Sequence, residues 1–132
     1  MIEFNKKEIE FLNSLEEARF ATSHDDKPHV KPVSFVFDDN TIIIATDYGT
    51  RSFLNIKSNP NTSIVIDRYK SGGHKAVLVQ GKAEIIENGI EFKRLYDIFN
   101  KKFEWVRKEQ WKENEAPFLK IIPNNKTSWG IS

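Results

Sequence analysis

HVKPVSFVFDDNTIIIATDYGTRSF, residues 29–53, reads as strand, tight turn, strand and short helix. The β-rich run Val30–Phe37 meets the turn formers Asp38-Asp39-Asn40, and Thr41–Thr46 follows as a second strand. Asp47-Tyr48-Gly49 then leads into a helix opening at Thr50-Arg51-Ser52. A strand end feeding a Gly-containing turn and a helix start is a good anion site. The first helical N–H groups are unpaired, and the macrodipole places partial positive charge there. Arg51 adds a fork that matches phosphate oxygens, and Thr50 and Ser52 add hydroxyls. The competing reading makes Thr50 a plain helix cap and Arg51 a solvated surface residue.

Upstream, Asn5 and Glu8 have capping-box spacing and start a first helix carrying Ile9, Leu12 and Leu15 on one stripe, ending near Glu17. Ala18–Ser23 is a short strand, closed by the turn Asp25-Asp26-Lys27-Pro28. Downstream, the helix begun at Thr50 must stop before Pro60. Thr62–Tyr69, apolar at Ile64, Val65 and Ile66, is a well-covered strand, and Lys70–His74 is a loop. Lys75–Glu87 is a long strand with Val77, Val79, Ala83 and Ile85 on one face and Gln80, Lys82 and Glu84 on the other. Gly81 in its middle marks a bulge, a barrel corner or a close approach to the backbone. Asn88 and Glu91 repeat the capping-box spacing ahead of a stripe of Phe92, Leu95, Tyr96, Phe99, Phe103 and Val106. Pro117–Pro123 and Lys126–Ile131 read as two last strands around a turn at 123–125.

This gives one domain over 1–132, with six or seven antiparallel strands and two or three helices. Short connections and the need to hide strand edges favour closure into a small barrel. The 20 basic and 19 acidic residues, a net charge of +1, argue against a general polyanion binder. With no cysteine there is no disulfide, thiolate metal site or Cys nucleophile. MIEFNKKEIEF lacks an apolar signal core, and no apolar run approaches the ~18 residues of a span. A cytoplasmic protein without membrane or nucleic-acid partner is expected.

Several constellations carry no chemistry. His24, His29 and His74 lack metal-ligand spacing, and Ser34 and Ser52 lack a nucleophile elbow. Asp38-Asp39 is turn chemistry, and no Gly-rich nucleotide loop occurs. Trp105, Trp111 and Trp129 suit a subunit interface or a ligand wall, or simply a partly buried core.

The ordered segments FLNSLEEARFATS, HVKPVSFVFDDNTIIIAT, TRSFLNIKSNPNTSIVI, VQGKAEII and PFLKIIPNNKTSWGI resemble the pyridoxamine 5'-phosphate oxidase-like family, the FMN-binding split barrels. The resemblance covers nearly the whole chain and rests on the ordered set, not on one motif. It implies a mainly β (α+β) split barrel and a homodimer with FMN at the subunit interface. By this resemblance Arg51 holds the phosphate with Ser52 and Thr50. The strand Lys31, Pro32, Val33, Ser34 runs beside the flavin, Ala45 and Thr46 contact its ribityl or ring, Gln80 and Gly81 face the ring edge, and Trp129 comes from the other subunit. The implied activity is hydride transfer through bound flavin to a small-molecule redox substrate, with Lys31 as a positive charge beside the cofactor. The C-terminal Arg-x-His segment of the true oxidase is not found, which sets pyridoxamine phosphate aside as substrate. Two alternatives keep the fold: a deazaflavin-dependent reductase, whose acidic coenzyme tail would use Lys57, Arg68 and Lys70, and a flavin-binding protein without turnover.

Overall fold

The computed structural model describes residues 1–131, which form six strands and four helices. In chain order these are α1 (Lys6–Asn13), β1 (Glu17–His24), β2 (Lys27–Asp38), β3 (Thr41–Ala45), α2 (Arg51–Ser58), β4 (Asn61–Arg68), β5 (Lys75–Ile86), α3 (Gly89–Lys102), α4 (Glu104–Lys108) and β6 (Phe118–Trp129). Every strand pairing is antiparallel, and the sheet closes as β1-β2-β3-β6-β5-β4. The expected barrel is present, with the lower strand count and one helix more than expected.

Alternation decides what the barrel encloses. Phe20, Phe35, Ile42, Ile44, Ile64, Ile66, Val77, Val79, Leu119 and Ile121 fill the interior. Each such side chain contributes about 1.5–3 kcal/mol on burial. The opposite faces of three strands are also apolar, at Val36, Ile43 and Phe118, and α3 covers them with Phe92, Leu95 and Phe99. Strand β4, expected to be well covered, alternates. Ile64 and Ile66 are buried, while Ser63, Val65 and Asp67 stay partly open.

The two mouths of the barrel are closed by helices. Helix α1 has the full capping box, with Glu8 N donating to Asn5 Oδ1 at 2.8 Å and Asn5 N donating to Glu8 Oε1 at 2.9 Å. Just before it, Phe4 stands edge-on to Phe37, and Leu12 of α1 is fully buried. Lys126 Nζ and Ser128 Oγ both donate to the buried Glu8 carboxylate, each at 2.7 Å. Helix α2 closes the other mouth with Phe53 and Ile56.

The hairpins turn on residues of positive φ, Asp25 and Asp26 in the first and Asp39 and Asn40 in the second. This is the two-residue turn geometry that matches strand twist. The first turn is thus tighter than expected, and β2 starts at Lys27. Pro28 and Pro32 fall on the half of β2 that pairs with β1 but not with β3, where a missing N–H is tolerated.

Three further expectations are corrected. Residues 117–131 do not form two strands about a turn. Strand β6 runs unbroken from Phe118 to Trp129, because β5 pairs with it throughout. The register steps at Gln80/Gly81, from Asn125 to Pro123, so Asn124 is the extra residue of a bulge. The helical stripe ending at Val106 breaks at Phe103, whose backbone is extended, before α4 begins. Arg107 Nη1 donates to the carbonyls of Asn100 and Lys101 and so satisfies the end of α3. Asn88 makes no capping box. Its side chain donates to Asn114 Oδ1 at 2.9 Å.

Gly81 is the tight point of the barrel. A Cβ there would meet Ile122 O at 2.3 Å and Pro123 Cα at 3.0 Å. The close approach anticipated from the sequence is therefore made by the chain's own strand β6. Gly81→Ala should lower stability by about 1–3 kcal/mol, as overpacking does. Urea unfolding should show a lower midpoint at unchanged slope. An unchanged midpoint would mean that β6 moves aside freely.

Candidate functional site

The head of α2 gathers hydroxyls. Thr50 is the N-cap, and its Oγ1 accepts from Phe53 N at 3.3 Å. The same oxygen lies 2.8 Å from Thr46 Oγ1 and 3.4 Å from Ser52 Oγ. Of the orphan donors at the helix start, Phe53 N–H is taken by Thr50 Oγ1 and Leu54 N–H by Thr50 O. That leaves the N–H groups of Arg51 and Ser52. Arg51 is exposed and Ser52 is buried. Two free N–H groups, hydroxyls and a guanidinium form a donor set that suits a phosphate. Thr50 does cap, but capping does not exclude the anion site, since it uses other donors. Tyr48 packs edge-on against Phe53 from the preceding turn. Its hydroxyl donates to Glu87 at 2.8 Å. Burial, with the Glu87 carboxylate beside it, pushes that phenol up to about 12.

Beside this helix start lies the one-sided half of β2. The β2–β3 ladder runs from Phe35↔Ile44 to Asp38↔Thr41. Extended by one pair, Ser34 faces Ala45. Lys31, Pro32 and Val33 then continue past the end of β3 with β1 alone as partner. Lys31 shares the face of Val33 and Phe35, is partly buried, and has no hydrogen bond or ion pair among the described residues. The structure thus brings Lys31, Pro32, Val33, Ser34, Ala45, Thr46, Thr50, Arg51 and Ser52 to one mouth of the barrel.

It does not bring Gln80, Gly81 and Trp129 there within one chain. Register partners carry Val30 to Ala21, Ala21 to Ser63, Ser63 to Gln80 and Gln80 to Asn125. Three strand spacings of about 4.8 Å separate Val30 from Gln80. Gln80 is exposed and accepts from Asn125 Nδ2 at 3.1 Å. Trp129 lies at the opposite end of β6 from the α2 mouth. Its Nε1 donates to His74 Nδ1 at 3.3 Å, while His74 Nε2 meets Asp67 Oδ2 at 3.1 Å. His74 thus pairs with a carboxylate on β4.

Other neighbours were missed in the sequence. A cavity of about 340 Å³ beside Arg51 is lined by His24, Lys27, Pro28, His29 and Asn55. Asn55 Oδ1 and His29 Nδ1 are buried without a partner among the described residues. Each such atom costs about 1–3 kcal/mol. Asn55 was legible in principle, being four residues after Arg51 and so on the same helix face. A second cavity, about 280 Å³, reaches from Ala45, Thr46 and Asp47 to Trp105 and Trp111. Those two indoles stack at 6.0 Å and 7°. Their pairing needed the break at Phe103, which the sequence did not announce.

The sequence profile of pyridoxamine 5'-phosphate oxidase matches residues 4–124. The chain belongs to that family. Solved structures agree on the fold of this pyridoxamine 5'-phosphate oxidase family member. The heme storage protein HutZ of Vibrio cholerae has a TM-score of 0.82 at 15% identity, with 93% of this chain and 92% of that one covered. A conserved hypothetical protein of Mycobacterium tuberculosis gives 0.81 at 20%, covering 97% and 86%. An FAD-binding protein of Mesorhizobium loti gives 0.77 at 19%, covering 95% and 94%. At these identities the likeness is one of fold. No curated protein matches the chain at a significant level. Within the described residues no group of three or more His, Cys, Asp or Glu side chains is placed to hold a metal ion, and no helix is long and apolar enough to cross a membrane.

Proposed function

We propose that this protein binds FMN at the head of α2 and acts as a flavin-dependent oxidoreductase, each site being completed across a homodimer. One observation carries the reading. The hydroxyls of Thr46, Thr50 and Ser52 and two spare N–H groups gather at the start of α2, where Arg51 is the first helical residue, beside the half of β2 that pairs on one side only. Family membership and a structural relative named as FAD-binding support a flavin over other phosphorylated cofactors.

Bound FMN would supply the hydride chemistry. The chain's residues would supply placement and charge. Arg51 and the α2 N–H groups hold the phosphate. The backbone of Lys31, Pro32, Val33 and Ser34 lies along the cofactor, with Ala45 and Thr46 across from it. Lys31 brings a cation that favours the reduced, anionic form. Gln80 offers both a donor and an acceptor to a ring edge, and Trp129 an aromatic wall. Gln80 sits on an exposed strand position three strands from Val30, and Trp129 at the far end of β6, so a second copy of the chain is the source we assign to them. The outer row that includes Val30, 66% exposed, is the surface we assign to that contact. Gly81 packs against β6, which leaves its backbone as what it can offer to a ring edge.

Dilution tests the shared site. Flavin fluorescence should rise as the protein is diluted through its dimer dissociation range, in step with the loss of dimer by sedimentation. A monomer that keeps FMN tightly would contradict the interface assignment. Anaerobic reduction of the bound flavin by a nicotinamide donor, then reoxidation by an acceptor, separates an oxidoreductase from a carrier.

A further inference from the structure

The inner rows of the barrel change character at the α1 mouth. On β4, Ile64 and Ile66 belong to the interior, and Arg68 is the next residue on that face. On β5, Val77 and Val79 belong to the interior, and Lys75 precedes them on the same face. Past the bulge, β6 sets Lys126 and Ser128 opposite Val79 and Val77. The fold matches those two from α1, where the buried Glu8 carboxylate accepts from both. Arg68 and Lys75 have no such match. They are register partners on adjacent strands, and like charges set directly opposite each other are destabilising.

Around them lies a cavity of about 600 Å³, which Lys7 of α1 and Lys70 of the β4–β5 connection also line. All four cations are exposed at its rim, and none has an ion pair among the described residues. Glu10 is the one carboxylate in the lining. Over a chain of net charge +1 this is a local excess of positive charge. Asp67, the nearest acidic residue on β4, is engaged with His74. Trp129, assigned above to the contact between copies, alternates with Ser128 and so lies on the opposite face of β6 from the inner row. Lys57, which the coenzyme-tail alternative groups with Arg68 and Lys70, stands on α2, and the eight residues of β4 put about 23 Å between its two ends. The cavity is therefore a feature of the α1 mouth alone.

We infer that this cavity is a binding site for a polyphosphate anion, one carrying two or more linked phosphates. The Arg68 fork matches phosphate oxygens, and the three ammonium groups act as point charges around it. An anion seated between Arg68 and Lys75 replaces their mutual repulsion with two attractive contacts. The volume exceeds what a single phosphate fills and falls in the range of small-molecule sites. The site lies at the opposite end of the barrel from the head of α2, so it goes beyond the flavin reading and does not rest on it.

The chain's six glycines make the test site-resolved, because Gly73 and Gly130 line the cavity while Gly49 precedes α2 at the other mouth. Full-length protein carrying ¹⁵N-glycine is titrated with sodium tripolyphosphate at fixed pH and ionic strength, and the glycine amide resonances are followed by NMR. The Gly73 and Gly130 signals should shift and saturate together while Gly81 and Gly89 stay in place. Gly49 reports the head of α2 separately. Arg68→Gln and Lys75→Gln, exposed changes at strand ends, should each weaken the Gly73 and Gly130 saturation roughly five- to tenfold, the scale of one charge-assisted contact. Lys57→Gln should leave it unchanged. Silent Gly73 and Gly130 signals, equal shifts at all six glycines, citrate binding as tightly as tripolyphosphate, or unchanged affinity in both Arg68→Gln and Lys75→Gln would overturn the inference. ADP and pyrophosphate titrations then name the source. ADP binding about tenfold tighter than pyrophosphate supports a nucleotide, and equal affinities support an inorganic polyphosphate. Saturable Gly73 and Gly130 shifts in a protein that binds no flavin would retire the flavin reading alone.

Discussion

Arg51→Ala should weaken FMN binding by roughly 1.5–3 kcal/mol, the scale of a charge-assisted hydrogen bond. This is a ten- to about 150-fold rise in Kd at 1.4 kcal/mol per decade. The side chain is exposed and stands at the first helical position, so its loss leaves the fold intact. Thr50 still caps Phe53 N, and the buried face of α2 is untouched. Fluorescence titration measures the effect, with circular dichroism confirming the fold. Arg51→Lys should recover only part of it, because an ammonium keeps the charge but loses the planar fork. An alanine variant of unchanged affinity would remove Arg51 from the site.

The second large effect lies at the other mouth. Glu8 is 2% exposed and accepts from Lys126, Ser128 and Asn5. Glu8→Ala should cost about 3 kcal/mol, because it strands the mostly buried Lys126 ammonium and removes half of the α1 capping box. The same carboxylate sets a pH dependence. Burial alone would raise its pKa, but the hydrogen bonds from Lys126, Asn5 and Ser128 and the charge of Lys126 outweigh burial and hold it below the ordinary value of 4.5. The sign follows from the depressed folded value. The stabilisation is fully present above the unfolded pKa and is lost as pH falls through the folded one. Urea midpoints for wild type and Glu8→Gln should therefore stay apart from pH 7 down to the unfolded value of 4.5 and converge only below it. Parallel curves would mean that Glu8 keeps its proton state on folding.

Local signals were enough where local chemistry decides. The paired positive-φ residues at 39 and 40, flanked by alternating apolar positions, set the β2–β3 hairpin. Thr50 and Pro60 bound α2 as their cap and breaker chemistry requires. Asn5 and Glu8 likewise set the start of α1. The sequence misled where tertiary pairing overrides a local signal. Pro123-Asn124-Asn125 is turn chemistry, but eleven register pairs with β5 hold the segment as strand and reduce the irregularity to a bulge. Phe103 carries no breaker signal. The helix stops there, and Phe103 is buried 5.6 Å from Phe99. Gly81 announced a close approach without saying by what, and the answer required knowing that β6 lies against β5.

The candidate site divides in the same way. Arg51, Thr50 and Ser52 were readable because a helix start is a local structure with known donors. His29 and Asn55 were not marked, since their proximity depends on the β1–β2 register and on how α2 seats over the barrel mouth. The Trp105–Trp111 wall beside Thr46 depends on α3 ending early. Lys102 lies off the apolar stripe of α3, where a solvated side chain is expected. It is instead drawn inward, its Nζ 3.0 Å from Phe35 O and 4.4 Å from the Phe35 ring centroid. Burial lowers its pKa to about 8, against a small opposing influence from Glu16.

The central claim is that the head of α2 and the free edge of β2 hold a flavin. An absorption spectrum of the purified protein, followed by identification of what it releases on denaturation, tests it most directly. The account predicts flavin bands in the visible spectrum and FMN in the released fraction, or the same bands after FMN is added to protein isolated without it. A colourless protein that takes up neither FMN nor any other flavin would contradict it.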